Sequence, residues 1–91
     1  MGRNQLRLRE EAVAWQEIDD EIVVLDLQSS EYFKVNGTGA LLWQRLSQGA
    51  PREDLVDALG ERYELPPDTA ERDVDAFLAM LRARDLVEPD S

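Results

Sequence analysis

The hydrophobic repeat of this chain changes once, at Asn36-Gly37-Thr38: before the junction it has a period of two, and after it the spacing is helical. Val13, Trp15 and Ile18 lead into an acidic turn, Asp19-Asp20-Glu21. The run Ile22-Val23-Val24-Leu25-Asp26-Leu27 that follows is apolar on both faces, which predicts a central strand. Gln28-Ser29-Ser30 is a second polar turn, and Tyr32-Phe33-Lys34-Val35 is the third strand of a meander. Leu6-Arg7-Leu8-Arg9 also alternates, as an extra short strand or as an arm covering the back of the sheet.

Beyond the junction, Thr38 is placed to cap a first helix that presents Leu42, Trp43 and Leu46 and stops at Gly49. Pro51 at the first helical position, with Glu53 and Asp54 in the first turn, opens a second helix carrying Leu55, Val56, Leu59 and Tyr63 on one side. After Pro66-Pro67, Asp68 and Glu71 are spaced like a capping box. Ala70, Val74, Phe77, Leu78 and Leu81 then form the apolar stripe of a third helix, with Arg82 and Arg84 in its last turn. Three strands followed by three helices is an α+β layout, that of a permuted winged helix-turn-helix with a three-stranded antiparallel sheet.

With 91 residues, 43% of them hydrophobic, the chain reads as one domain over 1–91, with an N-terminal arm over 1–10 and a disordered tail over 89–91. That length provides one core and no room for a buried catalytic cavity of any size. The absence of Cys and His excludes thiol nucleophiles, disulfides, zinc fingers and imidazole-based acid-base chemistry. No cofactor motif is present, and Asp19-Asp20-Glu21 reads as a solvated turn in preference to a metal loop, so no metal is expected. A formal net charge of -10 opposes a phosphate backbone, which sets charge against the winged-helix DNA-binding function that the layout permits. Neither a membrane span nor a signal-peptide core is visible, so a cytoplasmic protein without membrane partners is expected. A third strand with an open edge, running straight into helix, reads as a docking device and not as an active site.

The string Tyr32-Phe33-Lys34-Val35-Asn36-Gly37-Thr38-Gly39-Ala40-Leu41-Leu42-Trp43 carries a further signal. With Leu46, Gly49 and Tyr63, and then Asp73-Val74-Asp75-Ala76-Phe77-Leu78-Ala79-Met80-Leu81, it closely resembles the PqqD-like family of RiPP recognition elements. The resemblance runs from Val13 to Val87, and its specificity lies in the order and spacing of the elements together. It implies a non-catalytic protein that binds the leader of a ribosomally made precursor peptide as an extra strand, in a groove closed by the third helix. The chain looks most like the stand-alone B1 proteins of lasso-peptide clusters. That likeness implies a B2-like leader protease and a macrolactam cyclase as further partners, and a leader with a Tyr-x-x-Pro signature. The alternative within the family is a peptide chaperone for a radical-SAM enzyme, as PqqD itself is. Ala50 departs from the hydroxyl residue with which many relatives cap the second helix.

On this reading the leader lies against Glu31, Tyr32, Phe33, Lys34 and Val35 of the edge strand and Asp73, Phe77, Met80, Leu81 and Arg84 of the third helix. Asp73, Phe77, Met80 and Arg84 form one line beside the apolar stripe; Glu71, Asp75, Leu78 and Arg82 form the other flank, and the sequence leaves open which one faces the groove. Phe33, Val35, Phe77 and Leu81 have an ordinary alternative as core residues, Asp73 and Arg84 as surface charges. Met80 falls off the stripe and suits an adaptable peptide pocket. Trp15 and Trp43 read as structural.

Overall fold

The computed structural model of the protein describes residues 5–88, so the expected tail over 89–91 and the first four residues of the arm lie outside the described residues. A 3-10 turn (Glu10–Ala12) leads into β1 (Val13–Ile18), β2 (Glu21–Asp26) and β3 (Glu31–Asn36), followed by α1 (Thr38–Gln48), α2 (Arg52–Tyr63) and α3 (Pro67–Ala83). The strands form an antiparallel sheet in the order β1-β2-β3, as the sequence pattern predicts. Ile22 and Val24 of the central strand are buried, while Val23 and Leu25 are half-covered on the opposite face. The helices pack on the first of these faces and complete the core with Trp43, Leu46, Leu55, Leu59, Val74, Leu78 and Leu81. Phe77 and Val56, expected within the core stripes, are partly buried at its margin.

Three helix starts differ from expectation. The cap position of α1 is Gly37 and not Thr38, and no side chain caps the helix. Gly37 takes φ 57° and ψ -127°, a conformation open to glycine and strained for other residues, and this sharp turn carries the chain from sheet to helix by the time Thr38 is reached. Pro51 is the cap residue of α2, one position earlier than expected, and its carbonyl accepts from Asp54 N-H at 3.0 Å. Pro67 occupies the first turn of α3, so Asp68 is already helical and no capping box forms. Glu21 belongs to β2 and pairs with Ile18, leaving Asp19-Asp20 as a two-residue turn. The described residues contain no cluster of His, Cys, Asp or Glu that could hold a metal ion, and no helix among them is long and apolar enough to cross a membrane.

The arm does not cover the back of the sheet. Leu6 and Leu8 are buried on the helical side. Leu6 exchanges backbone hydrogen bonds with Ala50 at 2.8 and 3.0 Å, Arg9 N-H donates to Leu86 O at 2.8 Å, and Glu88 N-H donates to Arg7 O at 2.8 Å. Leu86 and Val87, beyond the periodic stripe of α3, are thereby brought into the core. An arm with two apolar teeth gains more from that helical cleft than from a sheet face already half-covered by its own side chains.

Candidate groove beside the third strand

The hydrogen-bond parity of the sheet follows from one contact. Leu27 N-H donates to Ala12 O at 2.9 Å, one step past the Val13-Asp26 pair, which makes Ala12-Leu27 a bonded pair of the ladder. Bonded and non-bonded pairs alternate in an antiparallel ladder, so Leu25, Val23 and Glu21 bond to β1, while Ile22, Val24 and Asp26 turn their amides toward β3. Through the β2-β3 register their partners are Val35, Phe33 and Glu31. The N-H and C=O groups of Tyr32, Lys34 and Asn36 therefore face away from the sheet, and no backbone partner meets them among the described residues.

Side chains follow the same alternation. Glu31, Phe33 and Val35 stand on the helical face, and Tyr32, Lys34 and Asn36 on the outer face. Tyr32, expected as a groove wall, is 72% exposed on that outer face, and Lys34 pairs there with Glu21 at 3.6 Å. These two residues contribute outward amides to the edge, and their side chains lie outside the groove.

The flank of α3 that faces β3 is the line Asp73, Phe77 and Met80, continued by Arg84, which is the cap residue just past the helix end and not part of its last turn as expected. A Cβ built on Gly39 would stand 3.4 Å from Phe77 Cε1 and 3.5 Å from Val35 Cβ, which places the Phe77 ring over the junction of β3 and α1. At the other end, the Arg84 guanidinium lies 4.5 Å from the Phe33 ring centroid and 3.5 Å from Glu31 Oε1. Phe77 thus meets the C-terminal end of β3 and Arg84 its N-terminal end, so α3 runs past the strand in the opposite direction. Met80 lies between them, partly buried against the core. The alternative flank is occupied elsewhere: Leu78 is buried, and Asp75 takes two hydrogen bonds from Arg52 of α2, at 2.8 and 3.0 Å. Leu81, next to Met80 in the chain and rotated toward the core stripe, is fully buried, and so supports the site from beneath without facing it.

Two contributors escaped sequence reasoning. Asp26 is buried, accepts from Gln28 and Ser29 N-H at 3.0 and 3.4 Å, and lies 3.8 Å from Arg84. Its place ahead of the polar turn Gln28-Ser29-Ser30 is the signal for such a side-chain-capped turn. Gly39 leaves space beside Phe77 and Val35 that a larger residue would fill. Behind the groove, Trp43 is fully buried and stands edge-to-face with Phe33 at 6.3 Å and with Trp15 at 6.1 Å. Two hollows of the surface lie elsewhere. One of about 360 Å³ lies among Glu17, Asp20, Ala40, Arg62 and Tyr63, and one of about 230 Å³ lies on the outer sheet face around Ile18, Val23, Leu25 and Tyr32. The groove itself is an open shelf, suited to an extended chain and not to an enclosed small molecule.

Comparison with known proteins agrees with this geometry. A solved structure described as "TbiB1 in Complex with the TbiA(beta) Leader Peptide" is similar to the chain with a TM-score of 0.85 and 35% identity, covering 93% of this chain and 98% of that one. A second, "Lasso peptide synthetase B1 complexed with the leader peptide", has a TM-score of 0.80 and 34% identity, covering 92% and 98%. A search of curated protein sequences returned no match. The family described as "Coenzyme PQQ synthesis protein D (PqqD)" matches residues 21–87, which include the sheet edge, its junction with α1 and the whole of α3; the chain belongs to the PqqD family.

Proposed function

We propose that this chain is a non-catalytic RiPP recognition element that binds the leader of a precursor peptide as a fourth strand on β3. The observation that carries this is the edge itself: Tyr32, Lys34 and Asn36 turn unpaired backbone groups toward open space alongside a helix bearing Phe77, Met80 and Arg84. Ladder hydrogen bonds return only about 0.5–1.5 kcal/mol each, against roughly 1–2 kcal/mol for ordering each peptide residue. Apolar leader side chains laid between Phe33 and the α3 flank must therefore supply affinity and choose the peptide. Both similar solved structures are complexes with leader peptides, and one of them is a lasso peptide synthetase B1, which favours lasso-peptide maturation over presentation to a radical-SAM enzyme. In that pathway the bound leader is presented to a leader protease, which removes it, and a macrolactam cyclase closes the ring.

The test is a fluorescence-anisotropy titration with labelled leader peptides of lasso precursors that contain Tyr-x-x-Pro, run beside labelled duplex DNA at physiological salt. Nanomolar to low-micromolar leader binding without DNA binding is expected. Salt-sensitive DNA binding with no leader bound would overturn the reading.

A further inference from the structure

Resting on that leader-binding reading, we propose that Asp73 selects a basic residue in the bound strand, at the groove-facing position next to the one that covers Val35. In a strand added to β3, side chains beside Glu31, Phe33 and Val35 face the helical side whichever way the strand runs, because neighbouring residues of a ladder share a face. The positions over Phe33 and Val35 meet aromatic and aliphatic surface, with Phe77 and Met80 as the wall. One groove-facing position further on, the strand has passed the end of β3 at Asn36 and lies beside the segment of α3 that precedes Phe77. Asp73 is there, one helical turn before Phe77 on the same flank.

The carboxylates at the two ends of the groove are not equivalent. Asp26 and Glu31 both lie near Arg84, at 3.8 and 3.5 Å. Asp73 is half-buried, and no ion pair or side-chain hydrogen bond reaches it among the described residues. A strand laid over it removes water from an uncompensated charge, which is costly unless the strand brings a cation or a strong donor. The groove as a whole sets three carboxylates (Asp26, Glu31, Asp73) against one guanidinium (Arg84), in a chain of net charge -10, so an acidic residue at that position is opposed both locally and at long range. Arginine or lysine answers both terms.

The experiment selects a phage-displayed random dodecapeptide library on the intact protein and on its Asp73→Asn and Asp73→Arg variants, with melting curves confirming that all three are folded. Peptides from the unmodified protein are expected to carry two apolar residues with one residue between them, and Lys or Arg two positions beyond the pair, at i, i+2 and i+4 spacing. The basic residue lies N-terminal to the pair if the added strand is antiparallel, and C-terminal if it is parallel. Asp73→Asn should lose the enrichment at that position alone and bind the parent peptides about tenfold more weakly, the loss of one charge-assisted hydrogen bond. Asp73→Arg should enrich Asp or Glu there. Apolar pairs selected without the basic residue, or a basic preference that survives in Asp73→Asn, would overturn the role of Asp73 while leaving strand docking intact. Failure to select any alternating peptide would overturn both readings.

Discussion

The guanidinium of Arg84 lies 4.5 Å from the centroid of the Phe33 ring while reaching Glu31 Oε1 at 3.5 Å, so one side chain joins the end of α3 to the start of β3 and roofs part of the groove floor. A cation over an aromatic face contributes about 0.5–2 kcal/mol, depending on its exposure. Arg84→Ala is expected to weaken leader binding several-fold in anisotropy titrations and to lower the melting temperature only slightly. Arg84→Lys should recover part of the binding, since it keeps the charge and loses the planar stack. Unchanged affinity in Arg84→Ala would reduce Arg84 to a structural staple.

The parity of β3 separates its amides into two sets. N-methylation of Lys34 in a semisynthetic protein should leave the sheet folded and weaken leader binding by about 0.5–1.5 kcal/mol, one hydrogen bond, plus a steric contribution. The same change at Phe33 or Val35 removes a bond to β2 and should loosen the sheet, seen as a lower melting temperature. Equal leader binding by all the folded variants would place recognition away from this edge.

Met80 and Leu81 are neighbours in sequence with opposite burdens. Met80→Glu puts a charge on the half-exposed groove wall and should reduce leader affinity at least tenfold with little change in melting temperature. Leu81→Ala empties a fully buried site and should cost about 2–5 kcal/mol in denaturant unfolding. Phe77→Ala, at the core margin, should lower both affinity and stability. Normal leader binding by Met80→Glu would remove that flank of α3 from the site.

The Asp75 carboxyl is held below its ordinary value by the hydrogen bond from Arg52, helped by the charges of Arg52 and Arg82. The folded protein therefore binds this proton less readily than the unfolded chain, and the pair stabilises the α2-α3 packing above the ordinary carboxylate range, an effect lost as pH falls through the folded-state value. Asp75→Asn should melt slightly lower than the unmodified protein at neutral pH, and the difference should close in acid. A gap that persists at low pH would mean that it does not arise from ionisation of Asp75.

Much of this architecture is written in local pattern. A period of two before Asn36 and helical spacing after it correspond to β1–β3 and α1–α3, and the two-sided apolar run from Ile22 to Leu25 marks the central strand, because side-chain periodicity is a property of neighbouring residues along one element. The helix starts were less legible: Gly37, Pro51 and Pro66 impose backbone directions that displace the nearby Thr38 and Asp68 from cap positions. The arm was legible as alternating residues but not as to its place, since Leu6 and Leu8 meet partners at Ala50 and Val87 that lie more than forty residues away.

Sequence alone determines that this is a small α+β chain with an open strand edge, without His or Cys, and with a net charge of -10. The line Asp73, Phe77, Met80 and Arg84 is also legible as one side of a helix, because helical geometry fixes which residues share a side. Which side meets β3 is decided in three dimensions, where the Arg52-Asp75 pair and the burial of Leu78 and Leu81 rotate α3 so that Phe77 and Arg84 turn toward the strand. The division of β3 into inward and outward amides is decided there too. It depends on the register of two strand pairings, set by the two-residue turn at Asp19-Asp20 and the Asp26-capped turn after β2, and a shift of one residue would exchange the two sets.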